Sequence, residues 1–170
     1  MPDHTSQFAA AYALIRAAAA VGDHWIQSDR DARIKGATDD APVTLVDPET
    51  DTKTVHGTAD GRRACARHCL TYTATQAAAL TVGSRALGLR LRPGPVAAAL
   101  AISFVTHYAA DRRVPGGLLQ RLADATGKGQ FWRLADHGMN GAYALDAAWH
   151  HGWEAIAAVV ASVPAASPCD

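Results

Sequence analysis

Apolar positions recur at helical spacing along most of this chain, and the breaks between the repeats are marked by proline, glycine or clusters of polar residues. The first periodic stretch is Phe8 to Ser28, in which Phe8, Tyr12, Ile15 and Ala19 share one face. Alanine, the strongest intrinsic helix former, fills much of the remainder, Thr5 or Ser6 can cap the start, and Gly22 is the one weak point. From Asp29 to Gly61 the periodicity vanishes. This segment is polar, holds Gly36, Pro42, Pro48 and Gly57, and has only two short apolar pieces, Val43 to Val46 and Val55. It reads as a long polar loop with little regular structure and no strand pair, the kind of loop that is often functional.

Helical periodicity returns at Arg62 and runs to Leu87, with Asp60 as the expected cap, until Gly88 and the Pro93-Gly94-Pro95 turn end it. A third helix is expected from Pro95 or Val96 to about Arg113, stopped by Pro115-Gly116-Gly117. A short one follows from Leu118 to Thr126, and Gly141 to Ser162 forms the last long helix, ended by Pro164. Phe131 to Asn140 fits no element clearly. The pattern predicts an all-α fold: a single-domain helical bundle of about four long helices spanning residues 1–164, with 29–61 as its polar loop and 165–170 as a frayed tail. A chain of 170 residues can bury about two-thirds of its unfolded surface, so such a core needs no staples.

Composition narrows the function classes. Lys plus Arg and Asp plus Glu are both 16, which leaves no basic excess to grip nucleic acid. Three cysteines, Cys65, Cys69 and Cys169, make no disulfide framework and point to a reducing compartment, so a cytoplasmic location is expected. The opening MPDHTSQF has neither a basic nor a leucine-rich region of a signal peptide. Pro95 to Val105 is too short for a spanning helix, and Leu70 to Leu89 is interrupted by threonines, Gln76 and Arg85. Membrane association stays as the alternative to a cytoplasmic bundle.

The informative excess is eight histidines, the residue most used for metal ligation and for proton transfer near neutral pH. Several fall in helical pairs with acids. Asp23 and Gln27 lie four apart near the end of the first helix, His107 and Asp111 four apart in the third, and Asp146 and His150 four apart in the last. In the second helix Cys65, His68 and Cys69 share a face. Two thiolates and an imidazole are a fair zinc set, but small cysteines in an alanine-rich helix are more often packing residues, so His68 is taken as the functional member. Four alanine-rich helices thus each carry an acid, a histidine or both. Burying such groups unpaired is costly, so inward-facing ones must satisfy one another, a metal or a substrate, as carboxylate and histidine sites in helix bundles do. No phosphate loop, nucleophile elbow or His-Glu-x-x-His helix is present; Thr126 to Gly129 lacks the phosphate-loop spacing.

The segments GDHWIQSDRDARIKG, RHCLTYTATQ, THYAADRR and LDAAWHH, in this order, resemble the motifs of the DUF3307 family, an uncharacterised group of bacterial and phage helical proteins largely assigned to membranes. The likeness is nearest to its soluble-looking actinobacterial members and covers about Phe8 to Val160. It matches Asp23, Gln27 and Lys35 in the first segment, His68 in the second, His107 and Asp111 in the third, and Asp146 and His150 in the fourth. Two positions depart: Ala19 stands where the family has its opening histidine, and Ala147 where it has glutamine. The resemblance implies no established activity, though the layout is similar to membrane-associated proteins assigned as metal-dependent hydrolases.

The expectation drawn from these residues is a metal-dependent hydrolase acting on a phosphoester. Asp23, His68, His107, Asp111, Asp146 and His150 would hold zinc, manganese or iron, Gln27 would position substrate, and Lys35 with the polar loop would neutralise its charge. The alternative is a non-catalytic binding or membrane-associated module, in which the same His and Asp side chains form a buried hydrogen-bond network. A DNA-associated regulator using Arg62, Arg63 and Arg67 with Arg85, Arg90 and Arg92 is disfavoured by the zero net charge.

Overall fold

A computed structural model describes residues 4–135 and 140–163. Its elements run α1 (His4–Val21), a π-helical turn (Gly22–Ile26), α2 (Asp29–Ile34), β1 (Val43–Val46), β2 (Lys53–His56), α3 (Thr58–Leu87), α4 (Pro93–Asp111), α5 (Leu118–Ala125), α6 (Gly129–Trp132) and α7 (Gly141–Ala161). The protein is therefore mostly helical with one small two-stranded sheet. Cys169 and the tail expected to fray lie outside the described residues. Among the described residues no helix is long and apolar enough to cross a membrane.

The segment 29–61 departs from the structureless loop that its polarity suggested. Ser28 caps α2 by accepting a hydrogen bond from the Asp31 amide at 3.1 Å. An antiparallel hairpin follows, with Val43 opposite His56 and Val46 opposite Lys53. Val43 and Leu45 are half-buried while Thr44 and Val46 are exposed, so this short apolar piece had strand alternation all along. The Asp47 carboxylate closes the turn by accepting from the Glu49 and Thr50 amides at 2.9 and 3.1 Å.

Long helices also begin and end differently from their expected bounds. α1 stops at Val21, and the five π residues carry the chain to Ile26, so Gln27 lies beyond the helix and does not share a helical face with Asp23. The π turn begins at Gly22, where a Cβ would meet the Tyr72 backbone at 3.1 Å. The absent side chain lets the two segments approach, and single π turns are often found at functional sites.

The chain divides into two compact units. Among the described residues, the first holds those up to Ile26, Leu70–Thr106 and those from His150 on. Its core is aliphatic and alanine-rich: Ala11, Ile15, Leu80, Ala99, Ala157, Ala158 and Ala161, with Phe8, Tyr12 and Leu14 packed against it. Alanine and glycine keep the helices close; a Cβ on Gly83 would overlap the Leu14 side chain. The second unit holds Gln27–Cys69 and His107–Trp149. Here Ile34, Ala37, Ala64, Cys65, Cys69, Ala110, Leu119 and Ala123 are buried, but so are Lys35, His68, His107, Asp111 and Asp146. Its interior is polar to a degree that composition alone does not announce.

Candidate metal centre

In the second unit α3 supplies His68, α4 supplies His107 and Asp111, and the residue after α2 is Lys35. The two imidazoles face each other through Nε2 at 2.8 Å. Asp111 Oδ2 lies 3.0 Å from His68 Nε2 and 3.6 Å from His107 Nε2. All three residues are at most 2% exposed. Two Nε2 atoms hydrogen-bond each other only if one of them carries the proton. Three donor atoms this close, two of them ring nitrogens aimed at one point, have the composition of a divalent-metal site. Their spacing brackets the roughly 3.3 Å between ligand atoms in a tetrahedral zinc site with bonds of about 2.0–2.1 Å. Among the described residues, buried His and Asp groups could hold a metal ion.

Lys35 complicates the centre. Its Nζ sits 2.5 Å from Asp111 Oδ2 while its side chain is only 7% exposed. Burial is the largest influence on the Asp111 carboxyl and pushes its pKa up. Hydrogen bonds from His107 and His68, with the Lys35 charge, outweigh burial and hold it well below the usual carboxylate range. Lys35 is itself pinned from behind. The Arg112 guanidinium donates to the carbonyls of Lys35 and Ala37, and a Cβ on Gly36 would press on the Arg113 carbonyl at 3.0 Å.

Arg113 links the centre to a second carboxylate. Its Nε lies 3.4 Å from Asp111 Oδ1 and its Nη2 donates to Asp146 Oδ2 at 2.6 Å. Its φ is 32°, in the left-handed region that glycine usually occupies just past a helix. An L-residue pays about 1–2 kcal/mol there. The two carboxylates repay that cost, which explains why arginine rather than glycine stands at this position.

Cys65 and Cys69 are fully buried free thiols with their sulfurs 4.0 Å apart. The hydrogen bond with Cys69 lowers the Cys65 pKa, and burial and Asp111 oppose it. Gln27 belongs to this unit, and its side-chain Nε2 is buried with no hydrogen-bond partner among the described residues.

Asp23 and His150 belong to the first unit, which also holds Arg16, Tyr72 and Glu154. The Tyr72 hydroxyl donates to Glu154 Oε1 at 3.0 Å, Arg16 Nε lies 3.5 Å from Glu154 Oε2, and the His150 ring stands 6.5 Å from the Tyr72 ring, centre to centre. Burial pushes the Glu154 carboxyl up to about 7 against the opposing pull of Arg16 and Tyr72. Burial first, then Glu154 and Asp23, push the Tyr72 hydroxyl up as well. Glu154 lies four residues after His150, and from that spacing the sequence already extended the polar stripe to it. Nothing in the local pattern marked Tyr72, and Arg112 and Arg113 read as part of a solvated Asp-Arg-Arg cluster, because the bonds of Arg112 to Lys35 and Ala37 and of Arg113 to Asp146 join segments distant in sequence.

No family model, curated protein or solved structure matches this chain.

Proposed function

We propose that the protein is a metal-dependent hydrolase of a phosphoester, with His68, His107 and Asp111 as the core of its metal site. The observation that carries this reading is the convergence of two imidazole Nε2 atoms and one carboxylate oxygen within 2.8–3.6 Å in a buried setting. Imidazole and carboxylate together suit zinc, manganese or iron. A bound ion of this kind supplies a Lewis acid for the phosphoryl group and lowers the pKa of water. The chain's own contribution is charge and position. Lys35 and Arg113 pair with Asp111 and Asp146, and Arg112, bonded to main-chain carbonyls, adds a third cation, so an anionic substrate is favoured. Gln27 offers a buried amide donor for a substrate oxygen. Asp146, in the same unit, remains a further candidate ligand in this proposal, and the resemblance to the DUF3307 motifs is consistent with it.

Elemental analysis of the purified, untagged protein beside His107→Ala tests the reading. Near-stoichiometric zinc, manganese or iron that is lost in the variant is expected, together with ester hydrolysis that a chelator abolishes. A wild-type protein that takes up none of these metals on loading overturns it.

One observation favours a second reading. Lys35 already neutralises Asp111 at 2.5 Å, so the cluster can satisfy itself as a metal-free network that fixes the fold of a binding module. In that case zinc does not raise the melting temperature, whereas a native-state metal site must raise it by mass action.

A further inference from the structure

A cavity of ≈ 400 Å³ lies in the second unit, and Arg113 and Asp146, the pair that connects to Asp111, both line it. Its other walls are largely apolar, including Val114, Leu119, Trp132 and Tyr143. We propose that this cavity takes the aromatic part of a small organic phosphate monoester whose phosphate is held by Arg113. The inference rests on the phosphoester reading above for the identity of the anion.

Size, lining and charge each support the assignment. The volume falls in the range of about 300–1,000 Å³ typical of small-molecule sites. Two aromatic rings on its wall, one of them Tyr143 at 54% exposed, offer a stacking surface that an aliphatic core does not need. Arg112 also lines the cavity, and its guanidinium bonds are made to main-chain carbonyls, so its charge adds to the site with no carboxylate paired to it among the described residues. Arg113 is about half exposed and sits in a left-handed backbone conformation. Strained residues of this kind cluster at ligand sites, where the surrounding structure holds them in place. Planar, forked guanidinium is also the group best matched to phosphate oxygens.

The test is calorimetric titration of metal-free and zinc-loaded protein with phenylphosphonate and methylphosphonate, neither of which can be hydrolysed as an ester. Phenylphosphonate is expected to bind at least about tenfold more tightly, which corresponds to about 1.4 kcal/mol. Tyr143→Ala should erase that preference while leaving methylphosphonate affinity unchanged. Arg113→Gly, which suits the backbone φ and should fold, is expected to lose both ligands. Equal affinity for the two phosphonates, absence of phenylphosphonate binding to both protein forms, or a preference untouched by Tyr143→Ala overturns the assignment. The outcomes also separate it from the hydrolase reading. Tyr143-dependent phenylphosphonate binding by a protein that takes up no metal removes the hydrolase and keeps the cavity. A metal-loaded, active enzyme with no phenyl preference does the reverse.

Discussion

Both units bury charged side chains, but they do so on different terms. In the second unit Asp111 has Lys35, His68, His107 and Arg113 within 3.6 Å, and its pKa falls despite full burial. In the first, Glu154 has one tyrosine hydroxyl and one arginine at 3.5 Å, and its pKa rises to about 7. The number and closeness of charge partners, set against the desolvation cost that each acid bears, decide whether a buried acid is held as an anion or kept as an acid near neutrality. A carboxylate held ionised among imidazoles is a ligand or a network anchor. One that titrates near pH 7 is suited to carry a proton.

The largest effect that would break this comparison is Asp111→Ala. It leaves Lys35 buried without its counter-charge, and removing one partner of a buried pair costs about 3–5 kcal/mol. Chemical denaturation of metal-free protein should show that loss. The double variant Lys35→Met, Asp111→Leu should recover much of it, because a well-packed apolar pair is often as stable as a buried ion pair. A neutral Asp111→Ala would mean that the pair's partners are not what stabilises the second unit.

Glu154→Gln comes next and separates the units by pH. The folded carboxyl keeps its proton up to about 7, while an unfolded one releases it near 4.5. Stability from this group is therefore complete below pH 4.5 and is lost as the pH rises through 7. Glutamine mimics the protonated acid, so the variant should match wild type at pH 4.5. At pH 8 it should exceed wild type by about 2–3 kcal/mol. Arg16, Tyr72, His150 and Asp23 are the charged or titratable groups acting on Glu154, and Arg16 limits the gain. Denaturation midpoints at the two pH values decide it; a difference that does not change with pH removes the contrast with Asp111.

A smaller effect should follow from Ser28→Ala. It removes the side-chain acceptor for the Asp31 amide at the start of α2, the helix that delivers Lys35 to Asp111. A lost cap costs about 1 kcal/mol. Hydrogen exchange should show that cost as faster opening of α2 in the second unit, with the amides of α1 unchanged.

These contrasts indicate which parts of the molecule could be read from the chain. The long helices were legible because alanine, apolar spacing and the Gly88 and Pro115-Gly116-Gly117 stops all act locally. So was the i, i+4 relation of His107 and Asp111, since one helix carries both. The hairpin was missed because two four-residue strands give too few alternations to stand out within a polar segment. The π turn was missed because it depends on Tyr72 lying against Gly22, a contact between segments far apart in sequence. Lys35 was matched by its position in a motif and assigned to neutralising substrate. Its contact with Asp111, like the bridge that Arg113 makes to Asp146, depends on tertiary folding that no local spacing encodes.

The smallest predicted effect tests whether burial, and not merely good geometry, separates a decisive ion pair from an incidental one. Arg67 on α3 meets Asp31 on α2 with two bonds, Nη2 to Oδ1 at 2.5 Å and Nε to Oδ2 at 3.3 Å. This forked arrangement is the strong form of the contact. Yet the Arg67 side chain is 51% exposed, so water and salt screen the pair. A double-mutant cycle on Arg67→Ala and Asp31→Ala should give a coupling of about 0.2–1 kcal/mol that shrinks in high salt. The same cycle on Lys35 and Asp111 should be larger and nearly independent of salt. If the exposed pair proves as strong as the buried one, partner geometry alone sets these energies, and desolvation ceases to explain why Asp111 and Glu154 diverge.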